Sequence, residues 1–174
     1  TLTPQPGKQF TINKVTFKLQ RNNRGPLRYV VRTSADGFTA NQGGVAKITD
    51  NTTTQTRSFN FTVANRIAPL TVRLYGYKAE YSTTGHGGPG DAAGADIIVL
   101  GTTADITYYS QSNGNVGDPI WSLKPVGTPG PATFSALTHM VVQNGHTVTT
   151  TADVDVKDLG VAGGITHVKK IAAL

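Results

Sequence analysis

Four arginines follow one another at short intervals near the start of the 174-residue chain: Arg21, Arg24, Arg28 and Arg32. Apolar and basic residues alternate around the last two, so Arg28 and Arg32 should share one face of a β-strand, with Val30 between them. Guanidinium groups bind sulfate, carboxylate or phosphate through paired hydrogen bonds. The sequence therefore predicts an anion-binding surface that contains these arginines.

The distribution of charge along the whole chain also favours an anionic partner. Residues 1–78 carry twelve Lys and Arg against two Asp, a formal charge of +10, whereas residues 79–174 carry four bases and eight acids, a formal charge of −4. Such an asymmetry concerns partners rather than fold. The positive part should attract a polyanion or the negative part of a neighbouring copy. A solvated basic face without a ligand is the alternative interpretation.

Aromatic residues could add a platform on which a sugar ring stacks. Tyr75, Tyr77 and Trp121 are the candidates, because an aromatic ring can cover the apolar face of a pyranose while polar neighbours bind its hydroxyl groups. A core role is the stronger interpretation of the same residues. Tyr75 and Tyr77 would share one strand face.

No pattern of catalytic residues is present. The chain has no cysteine, its four histidines show neither HxH nor HxxxH spacing, no GxSxG motif occurs, and Glu80 is the only glutamate. We therefore expect a protein that is not an enzyme.

Calcium is the metal that the residue types favour, because Asp91 and Asp96 border a long glycine-rich segment and carboxylate oxygens suit this ion. These two residues are the candidate ligands of a structural calcium, and no other cofactor is expected. The segment Gly85–Gly94 offers few side chains to pack, so we expect a long loop there.

The elements that must position these residues are β-strands. Alternation of apolar and polar residues recurs along the chain, and turn signals rich in Asn, Asp, Gly and Pro separate the segments. This pattern predicts an all-β fold, a jelly-roll-like antiparallel β-sandwich over residues 1–102. The predicted inward-facing residues are Phe17, Leu19, Tyr29, Val31, Phe59, Phe61, Val72 and Leu74. Residues 97–100 form a continuous apolar run that suggests a fully buried strand.

Residues 103–174 predict a smaller β-rich appendage. They look too short and too rich in glycine for a large core of their own, and Asn144-Gly145 between two short strands is a strong hairpin signal.

No apolar run reaches the roughly 20 residues that span a bilayer. Thr1 does not begin a secretory leader, so we expect that any signal peptide has been removed or never existed.

Two stretches of the chain carry longer motifs. The first contains RNNRGPLRYVVRTSADGF, FNFTV, LTVRLYGYKAEYSTTG and GADIIVLGTT, and resembles a β-sandwich module of large secreted surface proteins of Bacteroidetes, the cargo of type IX secretion. The second contains TYYSQSNGNVGDPIWS and MVVQNGHTVTTTADVDVKDLGVAGG, and resembles the segment that often follows and opens a right-handed β-solenoid. The resemblance implies an extracellular or cell-surface location and a non-catalytic role in adhesion or scaffolding. It also implies that His146, in the turn NGHTV, bonds backbone atoms and that Trp121 packs inward.

These observations give one leading functional hypothesis and two alternatives. The leading hypothesis is a non-enzymatic structural or adhesive module that self-associates, as a homo-oligomer or filament, or scaffolds a surface assembly. The first alternative is a carbohydrate-binding module for an acidic polysaccharide, and the second is a virion coat or decoration protein. The sequence argues against nucleic acid as the partner, because exposed aromatics and a groove-reading helix are not evident.

Overall fold

The computed structural model describes residues 1–49, 53–81, 84–90, 95–166 and 171–173. Within these ranges the chain forms sixteen β-strands and one short 3-10 helix, so the predicted all-β fold is confirmed. The chain divides into two compact units. Unit 1 comprises Thr1–Pro4 and Phe10–Thr102, and unit 2 comprises Gln5–Gln9 and Thr103–Leu174.

Unit 1 is built from two β-sheets. Its elements, in chain order, are β1 (Lys8–Arg21), β2 (Pro26–Thr33), the 3-10 helix Ser34–Asp36, β3 (Gln42–Lys47), β4 (Gln55–Arg66), β5 (Val72–Ala79), β6 (Gly87–Pro89) and β7 (Ile97–Asp105). In the first sheet β1 is the central strand, with β4 on one side and β6 and β7 on the other. In the second sheet β2 lies between β3 and β5, antiparallel to both.

Alternation in β1, β2 and β4 directs every second side chain into one core. The buried members of this core are Ile12, Val15, Phe17, Leu19, Tyr29, Val31, Ile48, Phe59, Val63 and Leu70. The rings of Phe17 and Phe59 meet edge to face with centroids 5.9 Å apart. Phe61, Val72 and Leu74 are partly buried against the same cluster. The predicted inward-facing residues are therefore confirmed, because period-two alternation identifies the buried face of a strand.

The prediction of a fully buried strand at residues 97–100 is wrong. Ile97, Ile98, Val99 and Leu100 form the start of β7, and each is 37–51% exposed. Among the described strands β7 pairs only with β1. A strand at the edge of a sheet has a neighbour on one side only, and an apolar sequence alone does not reveal that position.

The expected loop at Gly85–Gly94 is also only partly correct. Within it, Gly87–Pro89 forms β6, which pairs with the end of β1 through Leu19 and Pro89, Gln20 and Gly88, and Arg21 and Gly87. Residues 91–94 lie outside the described residues. Three residues without large side chains can still pair as a strand, because pairing uses the backbone.

Unit 2 contains three ladders of parallel strands. Its strands are β8 (Thr107–Ser110), β9 (Gly114–Asn115), β10 (Trp121–Ser122), β11 (His139–Val142), β12 (Thr147–Thr149), β13 (Val154–Val156), β14 (Asp158–Val161), β15 (Gly164–Thr166) and β16 (Ile171–Ala173). The parallel ladders join β8, β11 and β14, then β9, β12 and β15, then β13 and β16. The first two ladders take one strand from each of three successive coils and the third takes one from each of the last two, which is the arrangement of a β-solenoid. The solenoid-like appendage is confirmed.

The parallel arrangement corrects two further predictions. Asn144-Gly145 does form a turn, with Gly145 at φ +81°, but β11 and β12 on either side belong to different ladders and are not a hairpin. Unit 2 also has a core of its own, which was not expected. Its buried members are Ile106, Tyr108, Ile120, Trp121, Met140, Val142, Val148 and Val156.

The described residues include no helix with the length and apolar character that crossing a bilayer requires.

Candidate functional site

The outward side of the second sheet of unit 1 carries a set of basic and aromatic side chains. Register places Arg28 opposite Lys47 on β3 and opposite Tyr77 on β5. In the same way Arg32 lies opposite Arg73. We call the set Arg28, Arg32, Lys47, Arg73, Tyr75 and Tyr77 the basic-aromatic face. Tyr29 and Val31, which alternate with these arginines, are buried in the core, so the face points away from it.

No acidic side chain among the described residues pairs with the cations of this face. The strands β2, β3 and β5 contain no acidic residue. In the described part of the chain, none of the four basic side chains of the face forms an ion pair. Like charges directly opposite each other on a sheet are destabilising, by up to about 1 kcal/mol per pair. The pairs Arg28–Lys47 and Arg32–Arg73 therefore cost stability unless an anion lies over them.

Two of the guanidinium groups are held in place by neutral groups. Arg32 donates from Nε to Asn41 Oδ1 at 2.9 Å and from Nη1 to the carbonyl of Phe38 at 3.2 Å. The guanidinium of Arg73 lies 3.8 Å from the centroid of the Phe38 ring. Neutral partners orient a guanidinium without cancelling its charge, which prepares it to bind an anion.

Asp36, four residues after Arg32, forms no ion pair with the cations of the face. Asp50, three residues after Lys47, lies outside the described residues. The carboxylate of Asp36 accepts hydrogen bonds from the backbone N–H groups of Phe38 and Ala40 and from Gln42 Nε2, at 3.1–3.3 Å. These bonds build the turn that presents Phe38 to Arg73. Asp36 is thus a structural residue of the turn.

The tyrosines of the face are accessible. Tyr75 is 38% exposed and Tyr77 is 36% exposed, so the core interpretation of these two residues is wrong. The guanidinium of Arg32 lies 5.5 Å from the ring centroid of Tyr75. Alternation in β5 turns Val72 and Leu74 inward and the tyrosines outward, because odd and even positions of a strand face opposite sides.

Arg24 lies beyond the end of the ladder between β2 and β5. Its guanidinium is 4.9 Å from the ring centroid of Tyr81, and its Nη1 donates to Thr84 Oγ1 at 3.1 Å. The carbonyl of Arg24 accepts from the N–H groups of Glu80 and Tyr81. This exposed cation adds a second Arg–Tyr contact to unit 1.

Arg21 differs from the other three arginines because it points inward. Its side chain has no exposed surface, and its Nη2 donates to Glu80 Oε2 at 2.9 Å. The remaining donors Nε and Nη1 have no partner among the described residues, and the same holds for the buried hydroxyl of Tyr29. Burial raises the pKa of Tyr29, although the charge of Arg21 opposes the shift. Alternation with Leu19 explains why Arg21 faces the core.

Trp121 is a core residue of unit 2. It is 1% exposed, its ring meets Phe134 edge to face at 4.8 Å, and its Nε1 donates to the carbonyl of Val116 at 2.9 Å. Its ring has no free face for a sugar. The core interpretation therefore holds for Trp121.

The calcium hypothesis concerns one residue that the structure does not describe. Asp91 lies outside the described residues. The backbone carbonyl of Asp96 accepts a hydrogen bond from Lys18 N–H at 2.8 Å. The carboxylate Oδ1 of Asp96 is buried and has no hydrogen-bond partner among the described residues. Within the described ranges no group of three or more His, Cys, Asp or Glu side chains could hold a metal ion. The calcium site stays a prediction.

Polar side chains of unit 2 are paired with one another. Asp105 bonds Lys8, Lys157 at 2.7 Å and His139 at 3.2 Å. Hydrogen bonds from these three groups, led by Lys157, hold the pKa of Asp105 well below its usual range.

The side chain of His146 bonds a hydroxyl group, not the backbone as expected. Its Nδ1 lies 2.9 Å from Ser110 Oγ, which also accepts from the N–H of Gln143 at 2.9 Å. Ser110 is fully buried, so this Ser–His pair joins two coils and is closed to a substrate.

Sequence reasoning predicted Arg28, Arg32, Tyr75 and Tyr77, which the structure places together. It missed Lys47 and Arg73 as members of the same face. Arg73 could have been found, because it alternates with Tyr75 and Tyr77. Lys47 could not, because the sequence does not specify the register of β3 against β2.

Comparison of the chain with protein-family models, with curated proteins and with solved structures gives no match.

Proposed function

We propose that this chain is a non-enzymatic extracellular adhesive module that binds an acidic polysaccharide through the basic-aromatic face of unit 1. One observation carries the proposal: four cations without an ion pair among the described residues and two accessible tyrosines share one side of a sheet whose strands contain no acid. The extracellular location rests on the resemblance to secreted surface proteins.

The chemistry of the face suits a chain of acidic sugars. Guanidinium groups bind carboxylate or sulfate groups, and the tyrosine rings can cover the apolar side of a sugar between them. Arg28 and Tyr77 are direct neighbours across the ladder, so one sugar unit can meet both a cation and a ring. A flat sheet face can bind several units in a row.

The test is a binding survey with polymers of matched length. We expect polygalacturonate or a sulfated glycan to bind unit 1 and neutral dextran to bind far more weakly, with affinity falling as salt screens the charges. Tyr77→Ala should lower the affinity for the acidic polymer about tenfold, whereas Tyr77→Phe retains the ring and should bind like the wild type.

Nucleic acid is the control polyanion. Duplex DNA presents phosphates at high density but no accessible sugar face for stacking. Equal binding of DNA and polygalacturonate, with no effect of Tyr77→Ala on either, would contradict the proposal, because the face would then respond to charge alone.

A second candidate function, self-association, is favoured by β7. This strand has no charged residue from Ile97 to Ala104, exposes four consecutive apolar side chains, and pairs only with β1 among the described strands. Edge strands of monomeric proteins are normally protected by charges or proline. A second copy could pair with this edge.

Sedimentation of the purified protein tests this candidate. We expect association that increases with concentration and that Ile98→Lys reduces, because a charge on the edge opposes pairing. Val126→Lys, at a loop position that is 89% exposed, is the matched control and should associate like the wild type. A monomer at all concentrations would exclude self-association through β7.

A further inference from the structure

The interior of unit 1 is open on one side. A groove of about 560 Å³ is lined by apolar side chains from both sheets, among them Phe17 of β1, Leu74 of β5 and Val99 of β7. β5 and β7 are edge strands in the described part of the chain, so no further strand closes this side. The volume lies within the range of small-molecule sites, which are mostly apolar with a few polar groups.

The groove has a polar end. Tyr29 belongs to its lining, is 2% exposed, and its hydroxyl has no hydrogen-bond partner among the described residues. Arg21 follows Phe17 and Leu19 on the inward side of β1, and its Nε and Nη1 are equally buried and without a partner. Buried polar groups without partners are rare, and each one is costly unless something binds it.

The short strand β6 connects the two groups. A Cβ on Gly87 would overlap the Tyr29 hydroxyl and lie 3.3 Å from Arg21 Cβ, so both side chains converge on the backbone of Gly87. A smaller cavity of about 440 Å³ borders Arg21, and Gly87, Gly88 and Pro89 line this cavity as well as the groove. β6 is therefore the thin wall between the apolar groove and the arginine.

We propose that unit 1 binds an amphipathic carboxylate, with its alkyl chain in the groove and its carboxylate at Tyr29 and Arg21. The hydroxyl of Tyr29 is protonated at neutral pH and can donate, and burial raises its pKa further. The Nε and Nη1 atoms of Arg21, which take no part in its bond to Glu80, carry three N–H donors between them, enough for a carboxylate. Because these atoms are closed to water, the carboxylate reaches them when β6 shifts away from Arg21. This site is distinct from the outward basic-aromatic face.

Calorimetric titration with decanoate tests the proposal on the full chain. We expect saturable binding of one decanoate that is at least tenfold tighter than the binding of decyltrimethylammonium, which has the same chain and the opposite charge. Tyr29→Phe should weaken decanoate binding at least tenfold, and Tyr77→Phe, on the outward face, should leave it unchanged. Circular dichroism establishes that each variant is folded.

A second pair of variants tests the groove itself. Val99 lines the groove and the adjacent Ile98 does not. Val99→Trp should fill the groove and weaken decanoate binding at least tenfold, whereas Ile98→Trp should not. In amide spectra of the protein, the largest shifts should fall on Gly87 and Gly88. Equal binding of the cationic analogue, an unchanged affinity of Tyr29→Phe, or shifts confined to the basic-aromatic face would each overturn the proposal.

Discussion

The two units differ in whether their buried polar side-chain atoms have hydrogen-bond partners. In unit 2 the buried and half-buried polar groups bond one another, as Asp105 does with His139 and Ser110 with His146. Apart from Gln9 Oε1, every buried side-chain atom that lacks a partner among the described residues belongs to unit 1. Unpartnered polar groups are expected where a protein binds something and are costly elsewhere.

The two units also differ in whether their clustered basic side chains lie near a carboxylate. The clustered bases of unit 2, Lys8 and Lys157, face the carboxylate of Asp105, whereas the bases on the basic-aromatic face of unit 1 face one another. A solenoid of stacked coils is stabilised by its own ladders. We infer that unit 2 is mainly structural and that binding belongs to unit 1.

The largest expected effect is the loss of stability on removing the buried ring of Trp121, compared with removing the exposed ring of Tyr77. Trp121→Ala should destabilise unit 2 by about 3–5 kcal/mol, because it leaves a large cavity beside Phe134 and removes a buried hydrogen bond. Tyr77→Ala, at an exposed position, should change the free energy of unfolding little. Denaturant unfolding measures both. A folded Trp121→Ala protein with normal stability and lost polysaccharide binding would reverse the assignment of roles to the two units.

A smaller effect is expected for the hydroxyl that joins two coils. Ser110→Ala should cost about 1–3 kcal/mol, because the N–H of Gln143 and the ring of His146 lose their shared partner in a buried site. Ser58→Ala is the matched control, since Ser58 Oγ makes its bond to Thr16 Oγ1 on an exposed surface. Equal unfolding midpoints for the two variants would mean that this link does not stabilise unit 2.

The ion cluster of unit 2 should appear in the pH dependence of stability. Because the pKa of Asp105 is lowered in the folded protein, its contribution is present above its unfolded pKa of about 4 and is lost as the pH falls toward the folded value. In Asp105→Asn the free energy of unfolding, measured by denaturant unfolding at several pH values, should therefore fall less steeply below about pH 4 than in the wild type. Asp155→Asn, which removes an exposed carboxylate, should keep the wild-type slope.

Much of this architecture follows from the sequence, and the failures have physical causes. Alternation identifies the core residues Phe17 and Tyr29 and places Arg28 with Arg32, because side-chain direction along a strand is a local property. The exposure of Val99 depends on which strand lies at the edge of the sheet. The membership of Lys47 in the face depends on pairing register. Both are relations between distant segments, which local patterns do not encode.

The central claim is that the paired bases of unit 1 bind an acidic polysaccharide. Its most direct test is the affinity for polygalacturonate of Arg28→Gln/Lys47→Gln compared with Lys14→Gln/Lys124→Gln, since each double variant removes two positive charges. The account predicts that the first variant loses at least tenfold in affinity while the second stays within a factor of about two of the wild type. Equal losses in both variants would contradict it, because binding would then depend on net charge and not on this face.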